Sequence, residues 1–207
     1  MQIITITTVK GGSGKSTLAA HLAVELQRLG HGPIALIDTD PQGSLSEWWS
    51  LRQGEEPRFA WVNAPQLPAY IDFLPAHGIT FTLLDTPPAL EPIIAAAIAV
   101  CDLALVPVRP SPNDLQAVTA TVEQLVKADK DFLFILNAAT PRSNIVRTAM
   151  QTLAQYGTVV PIVLHNRVDV AVSMSDGRTA GERRRTSKSA QEMTALAEYI
   201  LTHLAAR

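Results

Sequence analysis

The chain predicts an α/β fold: a single doubly wound, mostly parallel sheet flanked by helices. Two observations carry that expectation. Short β-branched or aliphatic runs recur at 3–9, 33–40, 81–87, 103–108, 132–138 and 159–166. Most are apolar almost throughout, as strands covered on both faces must be. Helical patterns fill the intervals at 15–29, 113–128, 144–156 and 187–205, and strand alternating with helix is the pattern of parallel crossover connections. A third observation places the site. In such sheets ligands bind beyond the carboxyl ends of the strands, where this chain puts its glycines and several of its aspartates.

In chain order, "IITITTV" (3–9) reads as a buried strand that runs into the glycine turn "KGGSG", and "KSTLAAHLAVELQRL" (15–29) as a helix ended by Gly30. "PIALIDTD" (33–40) is the second strand. Trp48 and Trp49 follow in "SLSEWWSLR"; neighbours on a helix point about 100° apart, so at most one of the two lies fully on the core stripe. Residues 52–70 are the least regular stretch and read as a crossover with a short helix after it. "FTLLDTP" (81–87), "LALVPV" (103–108), "FLFILNA" (132–138) and "VVPIVLHN" (159–166) are the later strands. In the last helix, Met193, Leu196, Ala197, Ile200 and Leu204 form one apolar stripe. No repeat, low-complexity tract or linker divides residues 1–207, which are expected to form one domain.

Composition narrows the class. With 207 residues and 47% hydrophobic content, the chain is long enough to bury a core without covalent staples. Cys101 is its lone cysteine, so neither an intrachain disulfide nor a four-cysteine cluster is possible, and a reducing cytoplasm is expected. Met1 leads into the first strand run with no basic leader, and the longest apolar stretch, near 93–101, is far short of the roughly 20 residues of a membrane span. The net charge of −2 is unevenly distributed. Residues 141–207 hold nine Lys/Arg against five acids, and the remainder holds eight against fourteen. A basic C-terminal third suits either a polyanion-facing surface or a solvated basic face.

The glycine turn is the first motif that carries chemistry. "TVKGGSGKST" (8–17) lies between strand and helix, the context a phosphate loop requires. Gly11, Gly12 and Gly14 have no Cβ, so with Ser13 they allow successive N–H groups to turn inward at the positive end of a helix that starts with Lys15, Ser16 and Thr17. Lys15 would reach the β- and γ-phosphates, and the Ser16 hydroxyl would ligate Mg²⁺. Two features depart from the general template GxxxxGK[ST]: Val9 stands where it has glycine, and Lys10 is extra.

Carboxylates at two further strand tips complete the set. "LIDTDPQGS" delivers Asp38 and Asp40, and "LLDTPP" delivers Asp85. Asp85 fits an acid behind Mg²⁺, Asp40 an acid that orients the attacking water or a water of Mg²⁺, and Asp38 a support from behind.

"KGGSGKST", "LIDTDPQGS" and "LLDTPP", in this order, resemble the ParA family of partitioning ATPases within the ParA/MinD group of deviant Walker-A proteins, a P-loop NTPase fold. The short chain resembles the small plasmid-type members. "VPVRPSPNDL" (106–115) and "LHNRVDVAVSMSDG" (164–177) share the family's look more weakly. The resemblance explains both departures, because the family's loop reads KGGxxK[ST] and Lys10 is its signature lysine. It implies a homodimer with ATP in which Lys10 reaches the partner's phosphates. ATP, Mg²⁺ and weak basal hydrolysis are implied with it, with Lys10, Lys15 and Asp40 as the catalytic set. For the base, the matching positions are Asn137 and the loop 165–169, including Arg167; an asparagine at a strand end is equally a turn-maker.

The resemblance also implies non-specific binding of double-stranded DNA by the ATP dimer and a ParB-like adaptor that stimulates hydrolysis. It further implies a nucleoid-associated place in the cytoplasm and a plasmid, chromosome region or protein assembly as cargo. Arg183, Arg184, Arg185 and Lys188 in "GERRRTSKSAQ" suit phosphate contact without base readout, or else a solvated helix start; Arg142, Arg147 and Arg178 are further contributors. The alternative is a MinD-like membrane-associated positioning ATPase, which uses a terminal amphipathic helix. The stripe at 193–204 is flanked by Glu192 and Glu198, with no lysine after Lys188, so core packing is the expectation and no membrane contact is expected.

Overall fold

The structure is a computed structural model that describes residues 1–88 and 92–206. Arg207, counted above in the basic third, lies outside the described residues. Among them the strands are β1 (Gln2–Ile6), β2 (Ile34–Asp38), β3 (Arg58–Trp61), β4 (Phe81–Asp85), β5 (Leu103–Val108), β6 (Phe132–Leu136) and β7 (Thr158–Val159). They form one sheet in the order β3-β2-β4-β1-β5-β6-β7, and every pairing is parallel.

The helices are α1 (Lys15–Leu26), α2 (Ser44–Ser50), α3 (Leu67–Phe73), α4 (Pro92–Val100), α5 (Pro112–Lys127), α6 (Ile145–Leu153), α7 (Val168–Met174), α8 (Ala180–Arg183) and α9 (Lys188–Ala205). The strands' period of two divides the apolar residues between two layers. Ile4, Ile6, Leu36, Leu83, Leu105 and Leu133 pack with Leu18, Leu22 and Leu26 of α1 and Leu196 and Ile200 of α9. Ala35, Ile37, Leu84, Val106 and Phe134 face the other way, onto Ile71 of α3, Ile94 and Ile98 of α4, Leu125 of α5 and Leu153 of α6. Covered on both sides, β2, β4 and β5 are buried at every residue.

Two sequence expectations need correction. The crossover at 52–70 contains a strand, β3, ahead of the expected short helix α3. It is four residues long, sits at a sheet edge and is exposed at both ends, so it shows no continuous apolar run. The strand expected over 159–166 pairs as a ladder at Thr158 and Val159 only. Pro161 has no N–H to donate. On either side of it hydrogen bonds return singly, Val160 N–H to the Phe134 carbonyl and Leu164 N–H to the Leu136 carbonyl. α4 arises from the apolar stretch near 93–101.

The tryptophan pair divides as its spacing requires. Trp48 is 1% exposed, and its Nε1 donates to the Arg178 carbonyl at 3.0 Å. Trp49 stacks on Phe59 at the layer's margin, ring centroids 5.3 Å apart. The apolar stripe of α9 lies in the core as expected: Leu196, Ala197 and Ile200 are fully buried. Among the described residues no helix is long and apolar enough to cross a membrane.

Candidate nucleotide site

Register brings the site together. β4 lies between β1 and β2, and its last residue, Asp85, pairs with Ile6 on one side and with Asp38 on the other. The glycine loop leaves β1 just beyond Ile6, so all three sequence motifs meet at the carboxyl ends of three neighbouring interior strands. Threonines bind the strand tips to one another: the Thr86 hydroxyl donates to the Ile6 carbonyl at 3.0 Å and the Thr39 hydroxyl to the Asp85 carbonyl at 2.6 Å. On the far side Val9 N–H donates to the Thr121 hydroxyl of α5 at 3.2 Å.

α1 begins without a side-chain cap. Its N-cap is Gly14 in the left-handed region (φ 87°), and its first turn carries no acid. Uncapped N–H groups at the positive end of a 12-residue helix make an anion site. Gly12 is also left-handed (φ 71°). At Gly14 space matters as well as φ, since a Cβ there would lie 2.5 Å from Nδ2 of Asn137. That Nδ2 donates to the Ser13 carbonyl at 2.7 Å. The end of β6 therefore braces the loop from behind, a contact that spacing gave no means of finding.

Lys15 is 6% exposed, and its ammonium lies 3.5 Å from the Lys10 carbonyl. Burial lowers its pKa against the opposing pull of Asp85 and Asp40. Ser16, Thr17 and Lys10 are half-buried at the loop, with Gly11 and Gly12 exposed at its rim. Ser13 is buried, and its hydroxyl has no partner among the described residues.

The carboxylates have distinct environments. Asp38 is saturated: Oδ1 accepts the Asp40 N–H at 3.0 Å, and Oδ2 accepts both the N–H and the hydroxyl of Ser46 at 2.9 and 2.6 Å. It shapes the turn that presents Asp40, whose Oδ1 accepts the Gln42 N–H at 2.9 Å. Asp85 is fully buried, and no group closes a well-formed hydrogen bond on either of its oxygens among the described residues. Burial pushes its carboxyl up to about 7, and the charges of Asp38 and Asp40 push the same way. The neighbouring Ser16 hydroxyl and Lys15 ammonium offset only part of this. A buried acid left without partners beside a lysine and a serine hydroxyl fits a hydrated Mg²⁺ held with nucleotide phosphates. The residues present thus fit both groups: Gly11–Thr17 for phosphate, and Ser16, Asp40 and Asp85 for the cation.

The residues expected near a base are arranged differently from the rest. Asn137 faces the loop backbone as described. Arg167 donates to Glu192 at 2.6 Å, and His165 Nδ1 lies 2.8 Å from the same carboxylate. Glu192, His165 and Asn137 line a cavity of about 40 Å³ beside Thr17.

Behind the site lies a buried histidine. His21 of α1 is 4% exposed, and its Nδ1 lies 2.9 Å from the Thr17 carbonyl, which makes Nδ1 the protonated nitrogen. Nε2 then accepts the Ala180 N–H at 3.1 Å and lies 3.3 Å from the Ser173 hydroxyl. Burial lowers its pKa.

The basic cluster is partly engaged. Arg183 forms an ion pair with Asp176, which also holds Arg178 at 2.6 Å. Arg184, Arg185 and Lys188 are exposed, as are Arg142 and Arg147.

Comparison with known proteins places this geometry. The profile of the CobQ/CobB/MinD/ParA nucleotide binding domain matches residues 4–180. The maintenance of carboxysome distribution protein A of Halothiobacillus neapolitanus is 30% identical over 165 residues, covering 76% of each chain. The chromosome-partitioning ATPase Soj of Thermus thermophilus is 29% identical, covering 97% of this chain and 96% of its own length. Among solved structures, the septum site-determining protein MinD of Pyrococcus horikoshii with Mg-ADP superposes with a TM-score of 0.79 at 22% identity, over 96% and 95% of the two chains. The Cyanothece McdA(D38A)–ATP complex superposes with a TM-score of 0.73 at 15% identity, over 98% and 96%. These two likenesses speak to the fold. With the domain profile matching residues 4–180, the chain belongs to the CobQ/CobB/MinD/ParA nucleotide-binding family, within its ParA/MinD group.

Proposed function

We propose that this chain is a Mg²⁺-dependent ATPase that dimerises when it holds ATP and, in that state, binds double-stranded DNA without sequence preference. Hydrolysis, accelerated by a ParB-like adaptor, returns it to monomers, and the cycle partitions or positions a cargo. The observation that carries the reading is the meeting of a two-lysine glycine loop with the buried Asp85 carboxylate, on which no well-formed hydrogen bond closes among the described residues. Lys15 and the N–H groups at the start of α1 hold the phosphates of ATP, and Lys10 reaches toward the nucleotide of the facing protomer. Asp40, presented by the Asp38-braced turn, orients the attacking water. Ser16 and Asp85 hold Mg²⁺, which when bound neutralises the charge that develops between the phosphates. Asn137 and Arg167 border the base.

A cation that crosses an interface is attracted more strongly by a triphosphate than by a diphosphate, so ATP favours the dimer and its loss weakens it. The names of the relatives, concerned with carboxysome distribution and chromosome partitioning, support a positioning role. DNA is favoured over a membrane surface because the stripe of α9 is spent on the core while Arg184, Arg185 and Lys188 are exposed. On this reading the protein acts on the nucleoid.

The test is co-sedimentation with DNA against flotation with anionic liposomes, each with ATP and with ADP. Retention on DNA with ATP alone is expected; ATP-dependent flotation without DNA retention would replace this reading with the membrane one.

A further inference from the structure

We propose that Arg109 is a second cation aimed at the terminal phosphate, set into the wall of the glycine loop by Asp114. The inference rests on the nucleotide reading above. Arg109 follows β5 in the turn "VPVRPSPNDL". Its Nε and Nη2 donate to the two oxygens of Asp114 at 3.0 and 3.4 Å. Asp114 is 4% exposed and is itself held, since the Ser111 hydroxyl donates to its Oδ2 and its own N–H donates back to Ser111 Oγ at the start of α5.

A guanidinium bound side-on by a carboxylate is fixed in its plane and leaves its third nitrogen available. Nη1 makes no hydrogen bond among the described residues and lies 3.8 Å from the point where a side-chain carbon on Gly12 would begin. That contact puts it on the outer rim of the loop. Lys10 and Arg109 line one recess of about 380 Å³ there, together with Asn113 and Thr140. N–H groups at Gly14 to Ser16, at the helix mouth, hold the anchoring phosphates; a cation farther out, on the Lys10 side, meets the terminal one. Asp114 lines the same recess and offsets part of the guanidinium charge, so Nη1 acts as a directed donor beside Lys10, and the pair favours the nucleotide that offers a further phosphate.

That terminal phosphate belongs either to the nucleotide of the same protomer or to that of its partner. Fluorescent AMPPNP and ADP titrations of wild type, Arg109→Ala, Arg109→Lys and Asp114→Asn, run at concentrations that keep the protein monomeric, read the first source. Sedimentation of AMPPNP-loaded protein over a concentration series reads the second.

Loss of one charge-assisted contact predicts a fall of roughly 10- to 100-fold for Arg109→Ala. It is expected in the AMPPNP-to-ADP affinity ratio if the phosphate is its own, and in dimer affinity if it is the partner's. Partial recovery is expected in Arg109→Lys, and an intermediate loss in Asp114→Asn, which keeps the charge but frees its plane. Thermal melts identify any variant that has merely unfolded, in which case Arg109→Lys and Asp114→Asn decide. A ratio and a dimer affinity both within about twofold of wild type would overturn the proposal. Wild type that binds AMPPNP yet never dimerises would instead sink the dimer reading and leave the monomer arm standing.

Discussion

Nδ2 of Asn137 donates to the carbonyl of Ser13 at 2.7 Å across 124 positions of sequence, tying the end of β6 to the turn that precedes α1. The same side-chain amide fills the space that a Cβ on Gly14 would need. Removing it frees a buried carbonyl and loosens the loop, so Asn137→Ala is expected to cost about 1–3 kcal/mol of stability and to weaken nucleotide binding. Gly14→Ala should do more harm, because it combines the clash with a left-handed φ of 87°. In the double variant only the clash is relieved, and recovery should be incomplete. Urea unfolding and ADP titration of the three variants check this; full recovery in the double variant would show that φ at Gly14 is unimportant.

Asp85 gives the nucleotide-free protein a pH dependence with a definite sign. Its carboxyl stands near 7 in the folded chain against an ordinary 3.8, so between those values the folded state keeps a proton that the unfolded state has released. Stability from this group is present below about pH 4, falls as pH rises through the window, and levels off above about 7. Asp85→Asn removes the titration and should make the free protein more stable than wild type at pH 8, by on the order of 2–4 kcal/mol. Mg-ADP should narrow or reverse the difference by stabilising wild type more than the variant, which keeps the phosphate loop but loses a cation ligand. Melting curves from pH 5 to 8, with and without Mg-ADP, measure both effects. A variant less stable than wild type throughout would contradict the unpartnered carboxylate.

His21 predicts the opposite slope. Burial lowers its pKa below the ordinary 6.5, so the unfolded chain binds a proton that the folded chain resists. Its contribution is intact above about pH 6.5 and is lost as pH falls below that value. His21→Leu should therefore lose stability at pH 8, by roughly 1–3 kcal/mol for the unsatisfied Ala180 N–H, while its deficit narrows toward pH 5. Urea midpoints of both proteins across that range test it, and a deficit that does not change with pH would count against a neutral buried imidazole.

The parallel α/β class and the phosphate loop were legible because each rests on local chemistry: near-continuous apolar runs, glycines before a lysine, aspartates at strand tips. What escaped the sequence rests on contacts between distant segments. β3 has four residues and an exposed edge, so it lacks the apolar run that marked the others. The roles of Asn137 and His21 depend on partners 124 and 159 positions away, Ser13 and Ala180, and no pattern within a window records such pairs. Arg109 stood in a turn that had drawn notice only for its resemblance; the carboxylate five residues on, held on the first turn of α5, is what gives it a direction. Charge counting also overstated the basic cluster, since it could not see that Asp176 occupies Arg183.

That ion pair makes the last prediction. Arg183 and Arg178 share Asp176, whereas Arg184, Arg185 and Lys188 stand exposed without a salt bridge among the described residues. If this surface meets DNA phosphates, each free cation adds about one unit to the slope of log affinity against log salt. Arg184→Ala, Arg185→Ala and Lys188→Ala should each lower that slope by about one, and Arg183→Ala by less, because its charge is already neutralised. Asp176→Asn should act in the opposite direction, releasing Arg183 and Arg178 and raising DNA retention in the ATP state. Salt titrations of DNA binding with AMPPNP measure all five. If Arg183→Ala proves as damaging as its neighbours and Asp176→Asn has no effect, the ion pair does not survive on DNA. If none of the five changes the slope, the DNA surface lies elsewhere, with Arg142 in the turn after β6 and Arg147 on α6 the next cations to remove.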